Sequence, residues 1–282
     1  MVEGILFLEN EREVGEIMGM IKTEDWLVEY GDNPLKICNK LQPYFEKLTD
    51  KEIYHYLQQF GMYHASSKVK TDIEKLQQNQ TWEKVEDLFL VYQEKWKGPD
   101  IPIFIFPHRK QPLFIKGHNK SGLAFPDKLF LFLSPKLNQK DREALLIHEY
   151  HHVCRLHTQK KSINEYTIAD SIILEGLAEY TVEKALGSKY LAPWTKQYTI
   201  SFLDKCWKSY FQDNTSLSRN EKKHDQLIYG RGTYPAMIGY CMGYYLVDLY
   251  FKTNNYSNKI SFHISPEKII ENYIKLSKQK EK

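Results

Sequence analysis

The chain has 282 residues, 42% hydrophobic and 27% charged, which is ample material for a core and excludes a disordered polymer. Its 39 lysines and arginines against 36 aspartates and glutamates leave a net charge of +3, too small an excess to argue for nucleic acid or an anionic membrane as partner. The longest nearly apolar run, Pro235 to Val247, ends at Asp248 and is too short to span a bilayer.

The N-terminal stretch Gly4 to Leu8 is flanked by Glu3, Glu9, Glu11 and Glu13, where a secretory signal carries a basic leader and a longer apolar core. Cys38, Cys154, Cys206 and Cys241 are scattered, with no Cys-x-x-Cys pair, as expected of reduced thiols in a cytoplasmic protein. Arg12-Glu13-Val14 can be encoded as a bacterial ribosome-binding sequence, with Met18 a few codons on. Residues 1–17 are therefore expected to precede a start at Met18 or Met20; the alternative is a short N-terminal helix.

In chain order, Asn33-Pro34 opens a helix with Leu35, Cys38, Leu41 and Phe45 at helical spacing, proline suiting the first turn. Glu52 to Tyr63, Thr71 to Leu76 and Trp82 to Trp96 repeat the pattern. Gly98-Pro99-Asp100 breaks the chain. The texture then turns β-branched and aromatic: Ile101 to Phe106, Leu113 to Ile115, Gly122 to Phe125 and Leu129 to Leu133 read as short strands of a small sheet.

Helices resume with Asn138 as a cap, running to about His157. Thr167 with Asp170 resembles a capping box for a helix that stops at Gly187. Lys196 to Phe211 and Tyr234 to Phe251 are further helices, and Ser265-Pro266-Glu267 starts the last. The expected fold is α+β and mostly helical. A helical N-terminal region spans 1–78, and a second domain spans 79–282.

Leu145 to His152 contains His148-Glu149-x-x-His152. On a helix, residues four apart share a face one turn apart, so two imidazoles at this spacing can hold one tetrahedral metal ion. Glu149 lies beside them, off the metal but within reach of a water held by it. A catalytic zinc site needs a third protein ligand and an open position. Glu175 lies in the apolar run Ile172 to Ala178, where a carboxylate is costly to bury without a partner that a metal would supply. Glu179, one turn later, is placed to accept the spare N–H of a ligand histidine. The alternative for both glutamates is a solvated acidic stripe. His151 reads as a rim or outer-shell group. Cys154 lies about 200° around the helix from His152 and faces away, which favours an open site over a closed structural one.

His148-Glu149-x-x-His152 followed by Glu175-x-x-x-Glu179 on a second helix resembles the gluzincin class of zinc metallopeptidases. More narrowly, His148-Glu149-Tyr150-His151-His152, Asp170-Ser171-x-x-x-Glu175-Gly176-Leu177-Ala178-Glu179 and Gly239-Tyr240-x-x-Gly243-Tyr244 resemble the YjaZ-like family of predicted zinc-dependent proteases. The likeness covers roughly residues 80–255.

It implies a thermolysin-like catalytic region with a small sheet and two helices carrying zinc ligands. It also implies one zinc held by His148, His152 and Glu175, Glu149 as general base, and the strand Gly122 to Phe125 bordering the cleft. The stretch Tyr240-x-x-Gly243 is similar to the one that supplies a catalytic tyrosine in gluzincin aminopeptidases. Tyr240 is therefore the first candidate for stabilising an oxyanion, with Tyr234, His224 and Arg231 as alternatives.

The expectation is a cytoplasmic zinc peptidase acting on a peptide or protein substrate, with no nucleic-acid or membrane partner. The alternatives are a non-catalytic zinc-binding regulatory or interaction module on the same fold, and a zinc-free helical interaction protein.

Overall fold

A computed structural model describes residues 19–109 and 120–280. The chain forms two compact units, 1–153 and 154–282. Five helices come first in the first unit: α1 (Thr23–Tyr30), α2 (Pro34–Leu41), α3 (Asp50–Phe60), α4 (Val69–Gln78) and α5 (Thr81–Trp96). Pro34 occupies the first turn of α2 as its spacing predicts. A reciprocal box opens α3: the Thr49 N–H donates to Glu52 Oε2 at 2.8 Å and the Glu52 N–H to Thr49 Oγ1 at 3.3 Å.

A three-stranded sheet follows, built of β1 (Ile103–Pro107), β2 (Lys120–Ala124) and β3 (Leu129–Leu133) in the order β1-β3-β2. β1 runs parallel to β3 and β2 antiparallel to it. Side chains alternate across a strand, so the register sorts the sheet into two faces. Phe104, Phe106, Phe130 and Phe132 share one face with Ser121 and Leu123.

That aromatic face packs on the N-terminal helical region. Phe104 stacks on Phe130 with centroids 4.7 Å apart, Tyr44 meets Phe104 edge-on at 4.7 Å, and Ser121 Oγ donates to the Phe60 carbonyl at 2.5 Å. The other face carries Ile103, Ile105, Leu129, Leu131 and Leu133 with Lys120, Gly122 and Ala124. It receives α6 (Gln139–Gln159): Lys120 Nζ donates to the Asp141 carbonyl at 2.6 Å. The predicted cap of α6 is present, with the Asp141 N–H on Asn138 Oδ1 at 2.9 Å. The division between units falls inside α6, so this one helix carries residues of both.

The second unit holds α7 (Ile168–Leu186), α8 (Ile200–Cys206), α9 (Lys222–Tyr229), α10 (Ile238–Phe251), α11 (Asn258–His263) and α12 (Pro266–Lys280). The Thr167–Asp170 box caps α7, and the helix stops at Gly187 with φ +89°. Buried Arg155 donates to the carbonyls of Ser261 at 2.7 Å and Ile264 at 2.8 Å, pinning the end of α11 and the link to α12. Tyr245 and Tyr273 both donate to Asp204 Oδ1, at 2.8 and 2.9 Å, tying α10 and α12 to α8.

Two predicted helices are shorter than their periodicity suggests. Over Lys196 to Phe211, Thr199 caps α8 by accepting the Phe202 N–H, and Trp207–Phe211 winds as a π-turn. Over Tyr234 to Phe251, Pro235 and the left-handed Met237 (φ +55°) delay α10 to Ile238. The Leu113 to Ile115 strand and the proposed start at Met18 lie outside the described residues. Elsewhere the small sheet flanked by many helices matches the mostly helical α+β expectation. Among the described residues, no helix is long and apolar enough to cross a membrane.

Candidate metal centre

The chemistry of α6 comes from how its two sides are used. Tyr150 and His151, the inner residues of His-Glu-x-x-His, are fully buried. Tyr150 stacks on Trp96 of α5 at 5.6 Å, meets Phe89 edge-on and donates to the Pro99 carbonyl at 2.9 Å. His151 stands edge-on to the same Trp96 at 6.4 Å. These contacts fix the rotation of α6 about its axis, so His148, Glu149 and His152 are aimed elsewhere as a set. His151 thus belongs to the core and not to a rim, because Trp96 offers it an aromatic wall.

His148 and His152 sit one turn apart with ring centroids at 4.7 Å and planes at 89°. His152 is buried, and His148 and Glu175 are half-buried. One ligand atom from each of His148, His152 and Glu175 can be chosen so that all lie within 4.8 Å of one another. Zinc–ligand bonds of about 2.0–2.2 Å place tetrahedral ligand atoms roughly 3.4 Å apart. Two imidazole nitrogens and a carboxylate form a donor set that suits zinc and leaves a fourth position open.

Glu149 is 9% exposed and lies against β2 at Gly122. Glu179 is buried, and its Oε1 accepts the Ala192 N–H.

Tyr240 is half-buried on α10, edge-on to Trp194 at 5.3 Å and tilted against Tyr229 at 5.9 Å. Tyr229 ends α9 and hydrogen-bonds to Tyr240. Its phenol is pushed up from the ordinary tyrosine range, first by burial and next by the nearby Glu175 carboxylate. The structure therefore places Tyr229, which the sequence did not single out, in the field of Glu175. Its only signal was its place in the last turn before Gly230, among 20 tyrosines.

The alternatives are engaged in other contacts. His224 Nε2 is 2.9 Å from Ser171 Oγ and its Nδ1 is 3.1 Å from Asp225 Oδ1. Tyr234 stands edge-on to Tyr210 at 5.2 Å. The Arg231 guanidinium covers the Tyr229 ring at 4.8 Å.

The chain is 33% identical over 259 residues to the uncharacterized protein YjaZ of Bacillus subtilis (strain 168), an alignment covering 90% of this chain and 99% of the relative. No solved structure matches significantly. Residues 81–271, which span the sheet, α6, α7 and α10, match the model of a family described as predicted Zn-dependent protease, DUF2268. The chain belongs to that family of predicted zinc-dependent proteases.

Proposed function

We propose that the chain is a gluzincin-type zinc peptidase that hydrolyses a peptide or amide bond. The convergence of His148, His152 and Glu175, with Glu149 next to His148 on the same helix, carries this reading. When bound, zinc would polarise the scissile carbonyl and lower the pKa of a water to about 7. His148 and His152 bind it through imidazole nitrogens and Glu175 through a carboxylate oxygen. Glu179, whose Oε1 accepts the Ala192 N–H, is the candidate to accept the outer N–H of a ligand imidazole through its other oxygen.

Glu149 takes a proton from the attacking water and returns it to the leaving amine. A phenol hydroxyl stabilises the developing oxyanion. Tyr240 and Tyr229 are the candidates: they hydrogen-bond to each other, and Tyr229 lies in the field of Glu175. The outer edge of β2 pairs with no strand among the described residues and suits an extended peptide or protein substrate. This reading places the enzyme in the cytoplasm with one zinc per chain.

The test is metal content and peptide-library hydrolysis for wild type, His148→Ala and Glu149→Gln. Wild type and Glu149→Gln should each carry about one zinc, His148→Ala should carry none, and only wild type should cleave. A Glu149→Gln chain that cleaves as wild type does would overturn the assigned base. Zinc without cleavage in any variant would favour a binding module.

A further inference from the structure

β2 contains a glycine whose backbone conformation does not call for one: Gly122 is not among the positive-φ glycines. Glycine weakens a strand, so its presence in an ordinary β conformation points to a close approach by another group. The approaching group is Glu149. A Cβ at position 122 would lie 2.7 Å from Glu149 Oε1 and still nearer to its Cγ and Cδ, inside the 3.0 Å that real Cβ atoms essentially never show.

The strand cannot easily withdraw. On one side of Gly122, Ser121 is tied to the Phe60 carbonyl and Lys120 to the Asp141 carbonyl. Along its length, β2 is laddered to β3. Glu149 in turn is buried on a helix whose rotation is fixed by Tyr150 and His151 against Trp96.

We infer that Gly122 is a positioning residue for the proposed general base: the missing side chain sets where the Glu149 carboxylate stands. The inference rests on the peptidase reading for its catalytic consequence, while its steric core does not. A methyl at 122 would displace the carboxylate by on the order of an ångström to restore normal contact of about 3.5 Å. A misplacement of that size costs about a hundredfold in rate.

Gly122→Ala should therefore lower kcat about a hundredfold with KM within about threefold. Zinc content should stay at that of wild type, since the Glu149 side chain yields before the backbone of α6 moves. A second measurement is independent of turnover. Thermal melting is compared for Gly122→Ala in the wild-type chain and in Glu149→Ala, where Cγ, Cδ and the carboxylate are gone. The alanine should lower the midpoint by about 2–4 °C in the first background and leave it nearly unchanged in the second. If Gly122→Ala alone does not fold, the paired variant should recover the fold.

An equal melting penalty in both backgrounds, or an unchanged kcat in Gly122→Ala, overturns the inference. A wild-type chain that binds zinc yet cleaves nothing removes the peptidase reading instead, and the melting comparison still decides whether residue 122 places Glu149.

Discussion

Two glycine contacts in this molecule look alike and do different things. In the first unit, Gly122 gives its side-chain space to the carboxylate end of Glu149. In the second, α7 and α10 cross where Gly176 and Gly243 bring backbone onto backbone. A Cβ on Gly243 would lie 2.7 Å from the Ile172 carbonyl carbon and closer still to its oxygen. One on Gly176 would lie 2.8 Å from the Tyr244 nitrogen and closer to the Gly243 carbonyl. A glutamate side chain can rotate away from an added methyl. A helix backbone buried among Ile172, Leu177, Cys241 and Leu246 can only translate, and the surrounding core resists that. The first glycine therefore tunes one functional group, and the second pair sets how near two helices come.

The largest expected effect is Gly243→Ala. Overpacking against backbone costs about 3 kcal/mol or more, which at about 2–4 °C per kcal/mol lowers the melting midpoint by at least ~6 °C. Gly176→Ala should come next, at about 3 kcal/mol, with a second consequence. Gly176 follows Glu175 directly, so pushing α7 away from α10 moves the third proposed zinc ligand. Chelator titration should then show weaker metal retention in whatever folded protein remains. Gly122→Ala should be the mildest in melting, at about 1 kcal/mol, and yet the most damaging to turnover per degree lost. If Gly122→Ala melts as low as Gly243→Ala, Glu149 does not yield as a side chain and the contrast between the two contacts fails.

The same contrast explains what was legible in the sequence. His148 and His152 were readable because four residues on one helix is a local distance, independent of the rest of the fold. The Asn138 cap and the Thr167–Asp170 box were local in the same way. Glu175 could be found because its neighbours Ile172, Ile173, Leu174 and Leu177 are apolar, and an isolated carboxylate there calls for a partner. Tyr229 was invisible because nothing near it in sequence marks it; its nearness to Glu175 comes from α9 lying beside α7. The start of α10 was misplaced because hydrophobic periodicity runs on through Pro235, while Met237 adopts a left-handed backbone that the pattern does not encode. Gly122 was readable as part of a strand, but the group that occupies its side-chain space is set by tertiary packing.

The predictions expected to disturb melting least divide Tyr229 from Tyr240. Tyr240 lies on α10 between Gly239 and Gly243, on the element that the crossing holds fixed. Tyr229 ends α9 and is a phenol within the field of Glu175. If Tyr229 donates to the oxyanion, Tyr229→Phe removes an interaction made only in the transition state. kcat and kcat/KM should then fall together, by about a hundredfold. On that assignment Tyr240→Phe removes only the hydrogen bond to Tyr229. Its cost should be about tenfold, the equivalent of one ordinary hydrogen bond of roughly 1.4 kcal/mol. The double variant should be no worse than Tyr229→Phe alone, because Tyr240 acts through its partner. Steady-state kinetics of the three variants decides the order. A larger loss in Tyr240→Phe than in Tyr229→Phe would assign the oxyanion to α10, making the glycine crossing a positioning device for catalysis as well as an architectural one.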